Sequence, residues 1–364
     1  MIETDLIAKI FPKWLEIEKS SPNKPAVILS QKFGLSRNIK KYPFLKNATA
    51  LEKDKIFAEV ADAVEKSKIF DEKKTAKINL KDNNYLIEAL LFEKDIIPFQ
   101  TMNSDWSRGV LADGDEKSPV ILMNMKNHLE ITLNSPFGKE IDTLAKLNET
   151  DNILGEELLY AYDSRLGFMM PNPEECGNGI FTEFVAHMPG IVLTEEINEV
   201  LNGISIMGAR VEGVQNQGMA AWGSFFRITA NFSDIENENE IVEKNKEIQN
   251  ALIIAETKAR KRLFKEAKLV MEDKIFRSFA MMKYARIMPV SQLFNFISLL
   301  RLGSEYKIFQ MNMRVLNLLF ERGFTANMLL LLDISDTTDI DCERAKMYRE
   351  LLKNIDLDNE KIKS

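Results

Sequence analysis

Residues 237–288 contain neither proline nor glycine. Over this stretch (NENEIVEKNKEIQNALIIAETKARKRLFKEAKLVMEDKIFRSFAMMKYARIM) nearly every residue is a strong helix former, so the chain has little choice but helix here. That run divides the sequence. Beyond Pro289, SQLFNFISLLRLG and NMRVLNLLFERG read as two more helices, stopped by Gly303 and Gly323. DIDCERAKMYRELLKNI reads as a last one. Everything C-terminal to about residue 255 is therefore expected to be helical.

Before the run the texture differs. ALEKDKIFAEVADAVEKS (50–67) repeats apolar residues at helical spacing, and 137–162 returns to the same texture. Between them lie short runs with strand character: AKINL, YLIEALLF, GVLAD and VILMNMKNHLEITL. ADGDEKSP (112–119) has the composition of a hairpin turn. Connections this short leave no room for helical crossovers, so the sheet is expected to be antiparallel. After the loop MMPNPEECGNGI, further strands are expected at ISIMGARVEG and WGSFFRITANF. The fold class read from the chain is α+β: an antiparallel sheet flanked by helices over 1–255, then an all-helical domain over 256–364.

ILMNMKNHLEIT (121–132) draws the eye because it alternates. Read as one strand, it turns Ile121, Met123, Met125, Leu129 and Ile131 to one face, and Asn124, Lys126, His128, Glu130 and Thr132 to the other. The second face carries a cation, an imidazole and a carboxylate, a set able to do acid–base chemistry. A wet outer face is the commoner meaning of such a stripe. On it, Lys126 and Glu130 could simply pair with each other.

Composition excludes several classes. A net charge of −7 argues against general nucleic-acid binding. Two cysteines, Cys176 and Cys342, and two histidines, all far apart, cannot build a disulfide framework or a structural metal site. MIETDLIAKIFPKWLEIEKS reads as an amphipathic helix without the marks of a signal peptide. No apolar run reaches the roughly 20 residues of a membrane span. A cytoplasmic address, no membrane and no metal are the expectations. The remaining candidates are weak singly: the glycine-bearing loop NPEECGNG, Cys176, Glu212 at a strand end, and the cluster Lys258, Arg260, Lys261 and Arg262, whose ordinary meaning is a solvated helix face.

The order of segments says more. SQKFGLSRNIKKYPF (30–44) resembles the SSRxRLARNxxxxPF signature of the ATP:guanidino phosphotransferases, especially the bacterial protein-arginine kinases. NMKNHLEI stands where that family has NEEDHLRI, and DSRLGFMMPNPEECGNGI where it has DxRLGYLTxCPTNLGTGL. MGARVEG falls at RGxYGEG, and WGSFFRITAN at LGNxYQISN. The resemblance runs in unbroken order over about residues 10–355.

Phosphoryl transfer to a guanidinium needs cations for the triphosphate and a carboxylate to orient and deprotonate the acceptor. The resemblance implies five arginines at the phosphates. Here those positions are Lys32, Gly34, Glu130, Phe181 and Met207. The catalytic glutamate falls on Lys126 and the family cysteine on Asn172, while Glu212, His128 and Arg37 match. At an effective dielectric near 20, a unit charge pair about 4 Å apart is worth about 4 kcal/mol, so placing Glu130 where an arginine would meet about −4 of nucleotide charge reverses a large effect. In the C-terminal domain, Ile340-Asp341-Cys342-Glu343-Arg344-Ala345 stands for the RDxxRA phosphoarginine motif. Asp341 and Arg344 would face guanidinium and phosphate there, or else form an ordinary i,i+3 pair.

Three functions follow as expectations from the resemblance. One is a catalytically inactive relative that regulates or adapts a Clp-type protease or chaperone system, or an activator protein, with no cofactor. The second is an active Mg-ATP-dependent protein-arginine kinase with a remodelled site. The third is a structural scaffold, since the family's helical domain mediates dimerisation and a homodimer is implied.

Overall fold

The computed structural model describes residues 27–70, 75–81, 85–115, 117–214, 221–309, 311, 313–332 and 339–355. The helix expected at 1–20 lies outside them. The described chain forms two compact units that interleave in sequence. One holds residues 30–184 and 229–247; the other holds 27–29, 185–228 and 248–355.

In the first unit, β1 (Ile28–Arg37) lies beside β5 (Leu129–Asn134), followed outward by β4 (Val120–Met123), β3 (Gly109–Ala112) and the edge strand β2 (Ala76–Asn79). On its other side β1 neighbours β8 (Ile180–His187), and then β10 (Phe225–Asn231) follows, the unit boundary falling within both strands; β6 (Tyr162–Asp163) and β7 (Gly167–Phe168) form a separate two-stranded ladder. The ladders from β2 to β1 are antiparallel, as expected. Strand β1 is buried at every position but Lys32, as a strand covered on both faces should be. Helices Ala50–Ser67 and Glu140–Glu157 touch each other and reach β4 and β5 respectively. The first begins with a reciprocal cap: Thr49 accepts from the Glu52 N–H and the Glu52 carboxylate accepts from the Thr49 N–H.

Three sequence expectations fail here. YLIEALLF is not a strand but helix Tyr85–Glu93. A short apolar run is ambiguous between the two states, and this one has a single β-branched residue, Ile87, among good helix formers. The helix stops where Asp95 turns left-handed (φ 59°). There the Asp95 N–H reaches the Phe92 carbonyl and the Ile96 N–H the Leu91 carbonyl, a Schellman closure.

ILMNMKNHLEIT is not one strand either. It is a hairpin, β4 to β5, whose turn is closed by the Asn124 N–H on the His128 carbonyl, with Asn124 at φ 55°. Asparagine tolerates that conformation better than most residues. The apparent alternation was counted across the turn. Finally, Ile204–Ile206 close helix Ile197–Ile206 rather than open a strand; β9 covers only Ala209–Gly213.

The second unit contains the helices Pro189–Leu193 and Ile197–Ile206, β9, and the C-terminal helices Lys268–Tyr284, Val290–Glu305, Met313–Arg322, Thr325–Leu332 and Ile340–Leu351. The glycine-free run is two helices, Glu238–Glu266 and Lys268–Tyr284, separated at Ala267, whose φ of −132° is not helical. Phe294 is the hub of the core, with ring centroids 4.8 Å from Phe320 and 4.7 Å from Phe324. Arg260, expected on a solvated face, is instead fully buried. It donates to Glu256, Glu305 and the His187 carbonyl. No single helix among the described residues is long and apolar enough to cross a membrane.

Candidate functional site

The sheet register gathers most of the singled-out residues of the first unit. Lys32, Gly34 and Ser36 lie opposite Asn134, Thr132 and Glu130 across the β1–β5 ladder, so they share one sheet face. On the other side of β1, Phe181 and Glu183 are two apart on β8 and reach the same face.

Phe181 lies directly over Gly34. A Cβ at position 34 would stand 2.3 Å from Phe181 Cζ and 2.6 Å from Cε1, so any side chain at 34 would collide with the ring. The two residues fit together: one leaves volume free and the other fills it.

Lys32 is engaged in the same neighbourhood. Its ammonium donates to the Asp95 carbonyl at 2.9 Å and to Asp95 Oδ2 at 3.3 Å, and it pairs with Glu183 Oε1 at 2.8 Å. Glu130 is buried and accepts from Asn127 Nδ2 at 3.1 Å. Burial pushes its carboxyl above the ordinary glutamate range, and nearby Glu183 pushes the same way against Asn127, Lys126 and Lys32. Lys126, in the β4–β5 turn, does not pair with Glu130. It donates to Glu175 Oε1 at 3.0 Å. Once the strand became a hairpin, the two residues no longer stood side by side.

The residues that match the family signature serve the fold. Arg37 is buried, bonded to Asp151 Oδ2 at 2.6 Å and to the Asn178 carbonyl, with its guanidinium 3.5 Å from the Phe168 ring centroid. His128 is buried too. The Ile39 N–H donates to its Nδ1, which leaves Nε2–H to donate to the Pro43 carbonyl at 3.0 Å. Burial pushes its pKa down to about 4, so it is a neutral brace at physiological pH.

The loop NPEECGNG is shaped by packing. At Gly177 (φ 145°) a Cβ would sit 1.8 Å from the Ser233 carbonyl oxygen. Asn172 precedes the turn Pro173–Glu175 and its carbonyl accepts the Glu175 N–H. Cys176 is half-buried, and its sulfur accepts the Met170 N–H.

In the second unit, Met207 follows helix Ile197–Ile206 and is 40% exposed, and Glu212 is exposed on β9. Arg344 is fully buried. Its guanidinium donates to the Gly323 and Met288 carbonyls, each at 2.8 Å, to Thr325 Oγ1 at 2.9 Å, and to Asp341. Every nitrogen of that fork is thus bonded within its own unit.

Asp95, Glu175 and Glu183, the acids that hold the two lysines, were not singled out in the sequence. Glu183 had a signal: it shares the period-two face of Phe181. Asp95 and Glu175 lie 63 and 49 residues from their lysines, and no local pattern marks such pairs. Around Lys32, Lys126 and Glu130 the face therefore carries four carboxylates and two ammoniums, both ammoniums engaged. The triphosphate of Mg-ATP does not fit this residue set, and no phosphoryl-transfer step follows from it. Among the described residues no group of three or more His, Cys, Asp or Glu is placed to hold a metal ion.

Comparison with known proteins agrees with the geometry of the fold. Residues 55–259 match the family model for the ATP:guanido phosphotransferase C-terminal catalytic domain, and 268–363 that for the protein-arginine kinase McsB C-terminal domain. The chain is similar to a protein-arginine kinase of Clostridium novyi (strain NT), 30% identical over 350 residues, covering 94% of this chain and 99% of that protein. It is similar to the protein-arginine kinase of Bacillus subtilis (strain 168) at 25% identity over 302 residues, covering 82% and 83%. Among solved structures it resembles a lombricine kinase, with a TM-score of 0.51 and 16% identity over 67% of this chain and 70% of the other. It also resembles the duplicated taurocyamine kinase of Schistosoma mansoni, with a TM-score of 0.53 and 12% identity over 76% and 42%.

Proposed function

We infer that this chain, which belongs to the ATP:guanido phosphotransferase family, keeps the fold of a protein-arginine kinase without its phosphoryl transfer, and acts by binding other proteins as a regulator or adaptor. The observation that carries this reading is Phe181 seated on Gly34, two positions where the resemblance calls for phosphate-holding arginines. A ring over a glycine offers no charge and leaves no room for a side chain that could.

The neighbouring charges support it. Lys32 is neutralised by Asp95 and Glu183, and Lys126 by Glu175. Glu130 is an acid where the clamp needs a base. In the second unit, the buried Arg344 fork supports a structural role for the Asp341–Arg344 pair, which favours a scaffold or dimer surface over capture of phosphoarginine.

Isothermal calorimetry with Mg-ATP up to millimolar concentration, alongside ³¹P NMR of an arginine-rich acceptor protein, tests the reading. We expect no saturable heat and no P–N resonance. A phosphoarginine signal would establish a working kinase with a remodelled site. Saturable binding of a phosphoarginine peptide to the intact chain would move the adaptor role to the Arg344 motif.

A further inference from the structure

Between helix Tyr85–Glu93 and β3 the chain runs through residues 94–108, held as a strap with two left-handed hinges, Asp95 (φ 59°) and Asn103 (φ 56°). Neither hinge is a glycine, so each carries conformational cost that its surroundings must offset. The Asn103 hinge is fixed from inside: its N–H donates to Glu88, which is itself paired with Arg108, and both of those side chains are 0% exposed. Arg108 also donates to the Ser104 carbonyl.

The Asp95 hinge is held differently. Beyond the backbone bonds of the helix end, a side chain from β1 supports it: Lys32 bonds both the Asp95 carbonyl and its carboxylate. The hinge also lies at the C-terminus of helix Tyr85–Glu93, whose Leu91 and Phe92 carbonyls are closed by the Ile96 and Asp95 N–H groups, so the ammonium adds a favourable charge at the negative end of the helix dipole. Lys32 and Asp95 are 17% and 26% exposed, so this hinge meets solvent as the inner one does not.

We propose that Lys32 is a latch: it caps helix Tyr85–Glu93 through Asp95 and thereby holds the outer end of the strap on the sheet. The proposal concerns the protein without nucleotide and stands whether or not ATP binds. Its consequence is that an anion entering the face competes with Asp95 and Glu183 for this ammonium.

Hydrogen exchange read by mass spectrometry on the full chain, with no ligand added, tests it. In Lys32→Met, the four amides of segment 94–98 (Pro98 has none) should exchange roughly two- to fivefold faster, the range expected for losing a charge at a helix C-terminus. Lys32→Arg should retain protection. Amides 103–108, held by Glu88 and Arg108, should not change. In an Asp95→Gly background, where the left-handed hinge needs no support, Lys32→Met should have little further effect.

Unchanged exchange at 94–98 in Lys32→Met overturns the latch. So does an increase shared equally by β1 and β5, which reports general loss of stability. An undiminished effect in the Asp95→Gly background overturns it as well. Should Lys32→Met not fold, Asp95→Asn supplies the reading: it keeps the carbonyl bond and drops the ionic one, and faster exchange confined to 94–98 is the supporting result. No change there, or a uniform rise, overturns the proposal.

Discussion

The two units place their charges in opposite ways. In the second, Arg260 and Arg344 are sealed in the interior and bonded on every side to acids and carbonyls. On the sheet face of the first, the positions where a phosphate clamp would stand hold a ring, a glycine, a buried acid and a lysine bridged by two carboxylates. Arg37, which matches the family signature, is buried and internally bonded like the arginines of the second unit. The contrast teaches that Arg37, Arg260 and Arg344 hold the fold together from inside, while Lys32 and Glu130 on the sheet face are engaged side chain to side chain.

The sharpest way to break the comparison is at Arg344. Arg344→Ala should cost about 3–5 kcal/mol, because it leaves buried carbonyls without donors, and the shift of the urea midpoint reads it. A loss under 1 kcal/mol would mean that Arg344 is no structural pin and is free for another task.

Acid titration probes the first unit. The folded pKa of His128 lies at about 4, below its ordinary 6.5, so the unfolded chain takes up the proton first. The stability this supplies is complete above pH 6.5 and falls as pH drops through the interval to 4, by up to about 3 kcal/mol. His128→Gln should flatten that slope. Glu130 has the opposite sign: its folded pKa is raised, so its ionisation works against folding as pH rises. Glu130→Gln, which keeps an acceptor for Asn127, should stabilise the protein at pH 8 by roughly 1 kcal/mol and more at pH 8 than at pH 5.

Gly34→Ala tests the filled clamp. Alone it should cost about 1–3 kcal/mol through collision with Phe181. Paired with Phe181→Ala it should cost almost nothing beyond Phe181→Ala itself, a coupling that chemical denaturation of the four variants measures. The smallest effect is expected at Lys126, which is 48% exposed. Lys126→Met should change stability by less than about 1 kcal/mol.

Much of this was legible in the chain. Residues 50–67 announce their helix by spacing, 137–162 announce one that proves to run only from Glu140 to Glu157, and the short connections from 76 to 132 announce an antiparallel sheet. YLIEALLF misled because seven of its eight residues are apolar and show no period. ILMNMKNHLEIT misled because a five-residue turn preserved the beat of alternation while reversing the chain. At the site, ordered motifs singled out Lys32, Gly34, Glu130 and Phe181, and the sheet register places Lys32, Gly34 and Glu130 on one face. What stayed hidden was compensation. Gly34 meets Phe181 only because β1 and β8 are neighbours, and Lys32 meets Asp95 only because a helix ends above it; neither contact has a local signature.

The ring over the glycine also sets the order in which charge could be rebuilt on this face. With Phe181 in place, an arginine at 34 has nowhere to go. With Gly34 in place, an arginine at 181 would recover one charge in a face still rich in carboxylates. No single substitution at either position restores both charges, and the step at 34 passes through a form worse than the present one. The pair therefore imposes an order rather than a bar: Phe181 must give way before a side chain can be added at 34, so any route that rebuilds charge on this face starts at 181.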